Sequence, residues 1–313
     1  MTETIANNIA RVVGKYGPRV EIQTADGVIS AVVRGRLKYG GSEHQDTAQR
    51  TIVAVGDYVE FAKKSGHTAT INRILERNKV ISRPAVGKEG IVQVVVSNVD
   101  RIVIVTSTTD PDFKAGVVDR LLIIAFKEEI KPVIVLNKID LADPEAYRQY
   151  TDAWMRIGCD ILFTSARTGE HIDEFGRLLS NGTCVVVGHS GVGKSSLLNK
   201  LSPGLQIKIG DISSYSGKGK HTTSRVNLFR LFPQGWVADT PGLKDLGLVG
   251  VTRKNLHNYY PEFAPFESGC QFTDCVHVDE PSCAVKDAVD KPDCSISRFR
   301  YQNYLSIYHS LGK

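Results

Sequence analysis

The sequence predicts a multidomain protein with an N-terminal β-barrel, a central α/β domain and a small C-terminal domain with helices. Short strand-like segments fill residues 1–85, and apolar strands alternate with helices over residues 86–250. A loop-rich segment with four of the six cysteines occupies residues 251–313. A length of 313 residues suits several domains, because a single hydrophobic core rarely grows beyond about 250 residues.

The N-terminal range contains β-branched and alternating segments that are separated by turns and show no helical period. Such segments at roughly ten-residue spacing indicate a small β-barrel. The predicted strands are Arg19–Thr24, Val28–Arg34, Thr51–Phe61 and Thr68–Leu75. Arg83-Pro84 and Gly87 then interrupt the pattern, so we expect a linker at this point.

The central range alternates between apolar strands and segments of helical spacing. Strands that are apolar along their whole length are typical of a parallel sheet with helices on both faces. The predicted strands are Arg101–Ser107, Pro132–Leu136, Asp160–Thr164, Thr183–Val187 and Gly235–Ala238. The predicted helices are Val117–Lys127, Tyr147–Ile157, Ile172–Leu179 and Lys194–Leu201, with a final amphipathic helix at Ile296–Leu311.

Hydrophobic residues make up 42% of the chain and charged residues 23%, close to the roughly 45–50% and 25% of soluble globular proteins. This composition excludes collagenous and disordered proteins, and no apolar run reaches the ~20 residues of a membrane helix. The first twenty residues lack the pattern of a signal peptide. We therefore expect a cytoplasmic protein without a membrane partner, whose cysteines stay reduced.

The net charge of +5 is concentrated at the N-terminus. Residues 1–85 contain 13 Lys and Arg against 8 Asp and Glu, a balance of +5. Residues 86–250 contain 19 against 18, and residues 251–313 contain 7 against 8. A basic domain beside two nearly neutral ones indicates a polyanionic partner, although solubility alone would also favour such a charge.

A glycine-rich motif lies between a predicted strand and a predicted helix. It reads Gly188-His189-Ser190-Gly191-Val192-Gly193-Lys194-Ser195, with Ser196 next. The motif matches the phosphate loop G-x-x-x-x-G-K-[ST] in the strand-to-helix context that this loop requires. Backbone N–H groups of such a loop point at phosphate oxygens. We expect Lys194 to reach the β- and γ-phosphates and to act in catalysis, and the Ser195 hydroxyl to bind Mg²⁺.

A second motif, Asp239-Thr240-Pro241-Gly242, follows the predicted strand Gly235–Ala238. A carboxylate at this strand end would hold Mg²⁺, and the Gly242 N–H would sense the γ-phosphate. Asp-x-x-Gly alone is a common turn. Behind a phosphate loop it indicates nucleotide binding.

A third motif, Asn137-Lys138-Ile139-Asp140, ends the predicted strand Pro132–Leu136. The Asp140 carboxylate can accept hydrogen bonds from guanine N1–H and the 2-amino group, whereas adenine has neither donor. An unpaired buried carboxylate is costly, so Asp140 would exclude ATP. Ser165-Ala166, twenty-five residues after Asp140, suits a loop whose backbone contacts the base oxygen.

The order of these motifs is unusual, because base recognition at Asn137–Asp140 precedes the phosphate loop and Asp239–Gly242 comes last. This circularly permuted order, with a β-barrel before it and a cysteine cluster after it, resembles the ribosome small subunit-dependent GTPase A family of bacteria. The resemblance extends over nearly the whole chain and includes Asn98-Val99-Asp100. It implies an OB-fold barrel, a circularly permuted P-loop GTPase domain and a zinc-binding domain. It also implies binding to the small ribosomal subunit, a role in its late maturation, and GTP hydrolysis stimulated by it.

The polar segment Ser213–Ser224 matches the first switch of a GTPase, which closes over the γ-phosphate. Either Thr222 or Thr223 would supply a hydroxyl to Mg²⁺; the sequence does not separate them, and we assign Thr223. Many GTPases orient the attacking water with a Gln after Asp-x-x-Gly, but this chain has Leu243. The family resemblance favours His221 for this catalytic role. Slow intrinsic turnover is expected.

Four metal-binding side chains fall within fourteen residues in the pattern Cys-x₄-Cys-x-His-x₅-Cys. They are Cys270, Cys275, His277 and Cys283. Three thiolates and one imidazole suit a closed, structural tetrahedral Zn²⁺ site, and the polar surroundings predict that the metal contributes the folding energy. Cys294 is an alternative ligand, Cys184 is expected in the core, and Cys159 has no evident partner.

Basic and aromatic residues are interleaved in the first predicted domain. They are Arg11, Lys15, Arg19, Arg34, Arg36, Lys38, Lys63 and Lys64, with Tyr16, Tyr39, Tyr58 and Phe61. OB folds bind single strands with such residues, although ordinary exposed strands carry them too. The family resemblance favours contact with ribosomal RNA. Tyr301, Tyr304, Tyr308 and Leu311 have helical spacing, and we expect them to pack the last helix onto the protein.

We therefore expect a monomeric GTPase that converts GTP to GDP and phosphate on the small ribosomal subunit. The alternative is an RNA-binding placeholder that uses guanine nucleotide as a conformational sensor, which Leu243 leaves open. A P-loop ATPase or kinase is disfavoured by Asp140.

Overall fold

The computed structural model describes residues 8–16, 19–39, 53–63, 68–85, 91–202, 226–239, 247–289, 291 and 296–312, with the backbone alone at 34–39 and 239. The chain divides into two compact units. The first unit combines Met1–Ile102, Gly176–Val187 and Lys208–Val249. The second unit combines Val103–Phe175, Gly188–Ile207 and Gly250–Lys313.

The strands and helices are numbered in chain order. The strands are β1 Ile9–Tyr16, β2 Arg19–Thr24, β3 Gly27–Tyr39, β4 Tyr58–Lys63, β5 Thr68–Ile74, β6 Val80–Pro84, β7 Val92–Ser97, β8 Arg101–Ser107, β9 Lys131–Asn137, β10 Asp160–Thr164, β11 Asn181–Val187, β12 Asn227–Arg230 and β13 Gln234–Asp239. The α-helices are α1 Ala115–Lys127, α2 Arg148–Arg156, α3 Ile172–Leu179, α4 Lys194–Leu201, α5 Ala264–Glu267, α6 Ala284–Ala288 and α7 Arg298–Ser310.

The first unit contains a closed five-stranded barrel, which confirms the predicted β-barrel. Its strands follow one another in the order β1-β2-β3-β5-β4, and β4 pairs back with β1. The β3–β5 pair is parallel, and the other pairs are antiparallel. Successive side chains of a strand point to opposite faces, so that Val12, Ile22 and Ile71 fill the interior and are fully buried.

The linker predicted at Arg83-Pro84 is wrong, because both residues belong to β6. This strand pairs antiparallel with β7, with Arg83 opposite Gln93 and Pro84 opposite Val92. Proline lacks only the N–H donor and is tolerated at the end of an edge strand, so it does not break this hairpin. Gly87, the third residue of the predicted linker, lies outside the described residues.

The barrel continues into three further strands of the first unit. The sheet order runs β11-β13-β12-β1, and β12 meets β1 where Asn227 lies opposite Gly14. The β11–β13 pair is parallel, as predicted, whereas β12 is antiparallel to β13 and was not predicted. One sheet therefore connects the barrel to the strand that ends at Asp239.

The second unit contains the sheet order β10-β9-β8 and the C-terminal helices. The C-terminal helix is confirmed as α7, and it packs as predicted, with Tyr304 fully buried. The Tyr304 ring contacts Tyr260 and Phe263, with ring centroids 5.0 Å away in each case.

Cys159 and Cys184 are both buried, which confirms the core position predicted for Cys184. Among the described residues, no helix is long and apolar enough to span a bilayer.

Candidate nucleotide and metal sites

The phosphate-loop motif follows β11 and leads into α4. Gly188 and Gly193 have φ values of 155° and 97°, and a Cβ at Gly188 would lie 2.1 Å from the Val105 carbonyl oxygen. Lys194 Nζ donates to the carbonyl oxygens of Gly188 and His189, each at 2.9 Å. The loop therefore curls around a buried ammonium group, an arrangement suited to an anion.

The other residues of the predicted phosphate loop fall into two groups. His189, Ser190 and Gly191 are exposed at the tip of the loop. Ser195 and Ser196 are half-buried in the first turn of α4, directly after Lys194. The exposed tip and the half-buried hydroxyl groups leave this face of the loop accessible to a ligand.

Asn137 joins the base-recognition motif to the phosphate loop. Its Nδ2 donates to the Val192 carbonyl oxygen at 2.8 Å, and its Oδ1 accepts from the Ala166 N–H at 3.2 Å. A Cβ at Gly193 would lie 2.2 Å from Asn137 Nδ2, which no side chain tolerates. The second unit therefore brings three separate sequence motifs together through one buried amide.

Asp140 is held in place by two donors. Ser165 Oγ donates to Asp140 Oδ1 at 2.5 Å, and Arg167 Nε lies 2.8 Å from Oδ2. The hydrogen bond from Ser165 and the nearby Arg167 charge lower the pKa of the Asp140 carboxyl, so the side chain is ionised at neutral pH. An ionised carboxylate with free lone pairs is an acceptor for two guanine donors.

Arg167 and Thr108 were missed from the sequence. Arg167 directly follows the Ser165-Ala166 pair, so its position was a usable signal. Thr108 Oγ1 donates to the Lys138 carbonyl oxygen at 2.7 Å, and Lys138 Nζ donates to the Asp110 carbonyl oxygen. These contacts link β8 to β9 across long sequence separations, and no local pattern indicates them.

Most of the remaining residues predicted for the nucleotide site lie outside the described residues. Asp239 ends β13, and its backbone lies opposite Val186 of β11. The other predicted residues, which lie outside the described part of the chain, are His221, Thr222, Thr223, Gly242 and Leu243, with the segment 213–224. Their roles stay predictions.

The four metal-binding side chains are brought together in the second unit. They are Cys270, Cys275, His277 and Cys283, and their ligand atoms lie within 4.8 Å of one another. Ideal tetrahedral zinc bonds place two sulfur atoms about 3.8 Å apart and a sulfur and a nitrogen about 3.6 Å apart. The Cys270–Cys283 sulfur distance is 3.9 Å, and His277 Nδ1 lies 3.7 Å and 3.4 Å from these two sulfur atoms. The side chains fit a tetrahedral metal ion, and Cys294 lies outside the described residues.

Outer residues fix the His277 ligand. Glu280 accepts hydrogen bonds from the N–H groups on both sides of His277, each at 2.8 Å. Tyr301 Oη donates to the His277 carbonyl oxygen at 2.8 Å. Glu267 Oε1 lies 3.4 Å from His277 Nε2, which leaves Nδ1 to face the cysteines. Such outer contacts orient metal ligands, and they tie the cluster to α7.

The barrel surface corrects part of the predicted basic and aromatic set. Arg11 and Phe61 are only 6% and 4% exposed, and Lys15 Nζ donates to the Val53 carbonyl oxygen. These side chains are turned away from solvent because β1 is covered by neighbouring strands and Phe61 points into the barrel. The exposed members of the set are Tyr16, Arg19, Tyr58 and Lys63, while the side chains of Arg34, Arg36, Lys38, Tyr39 and Lys64 lie outside the described residues.

Comparisons with known proteins agree with this arrangement. Residues 74–249 match the family model of the RsgA GTPase. The small ribosomal subunit biogenesis GTPase RsgA of Chlorobaculum tepidum is 37% identical over the full length of both chains. The protein of the same name from Geobacillus thermodenitrificans is 41% identical, over 82% of this chain and 85% of its own.

Two solved structures are similar along almost the whole chain. YjeQ from Thermotoga maritima is 30% identical, with a TM-score of 0.74, and the match covers 97% of this chain and 98% of YjeQ. YloQ, a circularly permuted GTPase, is 25% identical, with a TM-score of 0.70, and the match covers 99% of this chain and 96% of YloQ. The motif order, the nucleotide-site geometry and these similarities show that the chain belongs to the RsgA GTPase family of GTP hydrolases.

Proposed function

We propose that this GTPase binds the small ribosomal subunit, assists its late maturation and hydrolyses GTP with stimulation by that subunit. The observation that carries the proposal is the Asn137 amide, which joins the base-recognition and phosphate loops. Relatives that match this chain over its full length are named for small ribosomal subunit biogenesis. We also propose that the protein acts as a monomer in the cytoplasm.

The nucleotide roles follow from the chemistry of each group. Asp140 accepts the guanine N1–H and 2-amino hydrogens, and the Ala166 N–H meets the base oxygen. Lys194 binds the β- and γ-phosphates and stabilises the charge that develops on them. When Asp140 is changed to Asn, preference should move from GTP towards xanthosine triphosphate, since the amide offers a donor where xanthine has an oxygen. An unchanged preference would contradict the base assignment.

We propose Mg²⁺ as the metal of the nucleotide site, with oxygen ligands from separate segments of the chain. The half-buried Ser195 follows Lys194, and Asp239 ends β13; hydroxyl and carboxylate oxygens are ligands that Mg²⁺ prefers. Thr223 is the proposed third protein ligand. Bound Mg²⁺ supplies positive charge to the phosphate oxygens. Leu243 cannot orient water, so we assign that role to His221.

Zn²⁺ is the proposed metal of the cysteine cluster. The tetrahedral spacing and the ligand set of three sulfurs and one nitrogen match structural zinc sites. The residues around the cluster offer little apolar surface, so bound zinc would contribute folding energy to this segment.

The barrel is the proposed contact with ribosomal RNA. Tyr16 and Tyr58 are 37% and 40% exposed, and Arg19 is exposed on the neighbouring strand β2. Exposed rings with basic side chains bind single-stranded nucleic acid through stacking and phosphate contacts.

GTP turnover with purified ribosomal subunits tests the proposal. We expect small subunits to raise turnover strongly and large subunits to have little effect, with weaker stimulation at the higher of two salt concentrations because phosphate contacts release counterions. Stimulation below a few-fold would contradict the proposal and favour the RNA-binding placeholder that Leu243 leaves open. Equal stimulation by both subunits would contradict the assignment of the partner.

A further inference from the structure

Arg11 of β1 is a buried charge that the nucleotide site does not use. Its guanidinium carbon lies over two aromatic rings, 5.2 Å from the Tyr58 centroid and 5.1 Å from the Trp236 centroid. Its Nη2 donates to Thr183 Oγ1 at 2.5 Å. Its Nε is buried and has no hydrogen-bond partner among the described residues. Within the described part of the chain, the Arg11 side chain therefore makes one hydrogen bond and two cation–π contacts.

Packing alone does not account for a guanidinium at this position. Burial lowers the pKa of Arg11, although the nearby Tyr58 and Asp100 act in the opposite direction. An apolar side chain of similar volume usually fills a buried position at least as well as a charged one. The charge at Arg11 thus points to a role beyond stability.

Two of the three groups that the Arg11 side chain contacts, Thr183 and Trp236, lie on neighbouring strands. Thr183 of β11 is directly opposite Trp236 of β13. In the chain, β11 is followed by the phosphate loop, and β13 ends at Asp239. A displacement of Arg11 therefore acts on both strands that lead to the phosphate-binding and magnesium motifs.

β11 is also held without Arg11. Asp100 Oδ2 accepts the Thr183 N–H at 2.6 Å, and a Cβ at Gly182 would lie 2.6 Å from the same carboxylate oxygen. This contact fixes the strand backbone. The bond from Arg11 to the Thr183 hydroxyl is an additional tie, and its loss leaves the backbone anchor in place.

Arg11 also contacts a residue at the barrel surface. Tyr58, whose ring lies over Arg11, is 40% exposed. Tyr16 is 37% exposed, and its hydroxyl donates to Asn227 Oδ1 of β12 at 3.2 Å. A base that stacks on Tyr58 from outside would change the contact with Arg11 without entering the nucleotide site.

We propose that Arg11 is a positioning residue that transmits RNA contact at Tyr58 to β11 and β13 and so couples subunit binding to GTP hydrolysis. The inference rests on the proposed function, because it concerns stimulation by the small subunit. We further expect subunit binding to change the affinity for GTP relative to GDP, and by linkage the subunit affinity then depends on the bound nucleotide by the same factor.

The test compares wild type, Arg11→Met, Arg11→Lys and an exposed control outside the proposed RNA surface, Arg156→Met on α2. GTP turnover is measured without subunits and at saturating small subunits, and subunit affinity is measured with GDP and with a GTP analogue. Arg11→Met should keep intrinsic turnover within about twofold and lose stimulation by roughly 2- to 30-fold, the range for coupling through packed side chains. Arg11→Lys keeps the charge but not the flat stacking, so its loss should be intermediate. Arg156→Met should keep the stimulated turnover.

A second readout separates coupling from folding. In Arg11→Met the ratio of subunit affinities with GTP analogue and GDP should move towards one, which a purely structural defect would not produce. Full stimulation of Arg11→Met beside a stimulated wild type would overturn the inference alone; if that variant does not fold, full stimulation of Arg11→Lys does the same. A wild type without stimulation would contradict the proposed function and the inference with it.

Discussion

Arg11 of the first unit and Arg300 of the second unit are both buried, and the two sites are opposite in their electrostatics. In the second unit, Arg300 Nη1 lies 2.5 Å from Asp119 Oδ1 and Nε lies 2.7 Å from Glu262 Oε1. Burial alone would lower the pKa of Arg300, but the two carboxylates raise it well above its usual value. In the first unit, burial lowers the pKa of Arg11, which contacts two rings.

The difference shows which partners a buried charge leaves behind when it is removed. Without Arg300, two buried carboxylates lose their counter-charge, and Asp119 also accepts from Trp154 Nε1 and Asn303 Nδ2. Without Arg11, the partners left behind are two rings and one hydroxyl, none of which carries a charge. The Arg300 network is therefore structural, because it ties α7 to α1, whereas the Arg11 contacts can change at little cost.

The largest expected effect is the loss of stability in Arg300→Met. Breaking a buried ion pair from one side costs about 3–5 kcal/mol, since the remaining charges stay buried and unpaired. Urea denaturation measures the free energy of unfolding. Arg156→Met, an exposed position on α2, is the control and should change stability by less than about 1 kcal/mol. Adding Glu262→Gln to Arg300→Met should recover part of the loss; no recovery would contradict the ion-pair account.

A second prediction uses the two buried thiols as reporters. Burial raises the pKa of Cys159 from 9.0 to about 12 and that of Cys184 to about 11. Because these values exceed the unfolded value, each thiol contributes stability below pH 9 that is lost as the pH rises towards its folded pKa. Between pH 7 and 9, labelling of both thiols should require opening, and its rate should stay below that of an exposed thiol by the factor of the opening equilibrium.

Mass spectrometry of the labelled peptides compares the labelling rates of Cys159 and Cys184 in Arg300→Met and Arg11→Met. Cys159 lies in the second unit with Arg300, and Cys184 is adjacent to Thr183, which Arg11 contacts. Arg300→Met should speed Cys159 labelling by roughly 100-fold or more, the equivalent of about 3 kcal/mol of opening free energy. Arg11→Met should speed Cys184 labelling by less than about tenfold. Equal effects at both thiols would remove the distinction between the two arginines.

The third prediction concerns the stability of Arg11→Met. Its lost hydrogen bond and cation–π contacts are offset by the lower cost of burying an apolar side chain. The free energy of unfolding should therefore fall by about 1 kcal/mol or less, measured beside Arg300→Met. A loss as large as that of Arg300→Met would make Arg11 a structural residue.

The sequence was sufficient where chemistry and spacing are local. The phosphate loop and the motif at Asn137–Asp140 were recognised because each function needs fixed residue types within a few positions. The cluster from Cys270 to Cys283 was found in the same way, and its ligand atoms do converge. Local patterns also predicted the bounds of β8, β10, α3 and α4.

The two arginines show what local patterns cannot give. Arg11 was expected on an RNA-binding surface, because the strand β1 was not recognised and nothing near it in sequence indicates that Trp236 and Thr183 cover it. Arg300 lies within the predicted last helix, but its partner Asp119 is 181 positions away. Both environments depend on pairing between distant strands and helices, so they became visible only in the fold.

The smallest expected effect comes from Trp236→Phe. The indole ring of Trp is a stronger cation–π partner than the phenyl ring of Phe. Cation–π contacts contribute about 0.5–1 kcal/mol when exposed and about 2 kcal/mol when desolvated. Combining Trp236→Phe with Arg11→Met in a double-mutant cycle removes the loss of apolar area from the comparison. We expect a coupling energy of about 0.5 kcal/mol, because Phe keeps part of the ring contact.

Arg230, which is exposed and lies 5.8 Å from the same ring, is the matched control and should couple more weakly. Equal coupling of Trp236 to Arg11 and Arg230 would show that burial does not strengthen the Arg11 contact, and a coupling energy of zero would remove Trp236 from the path between the barrel and β13.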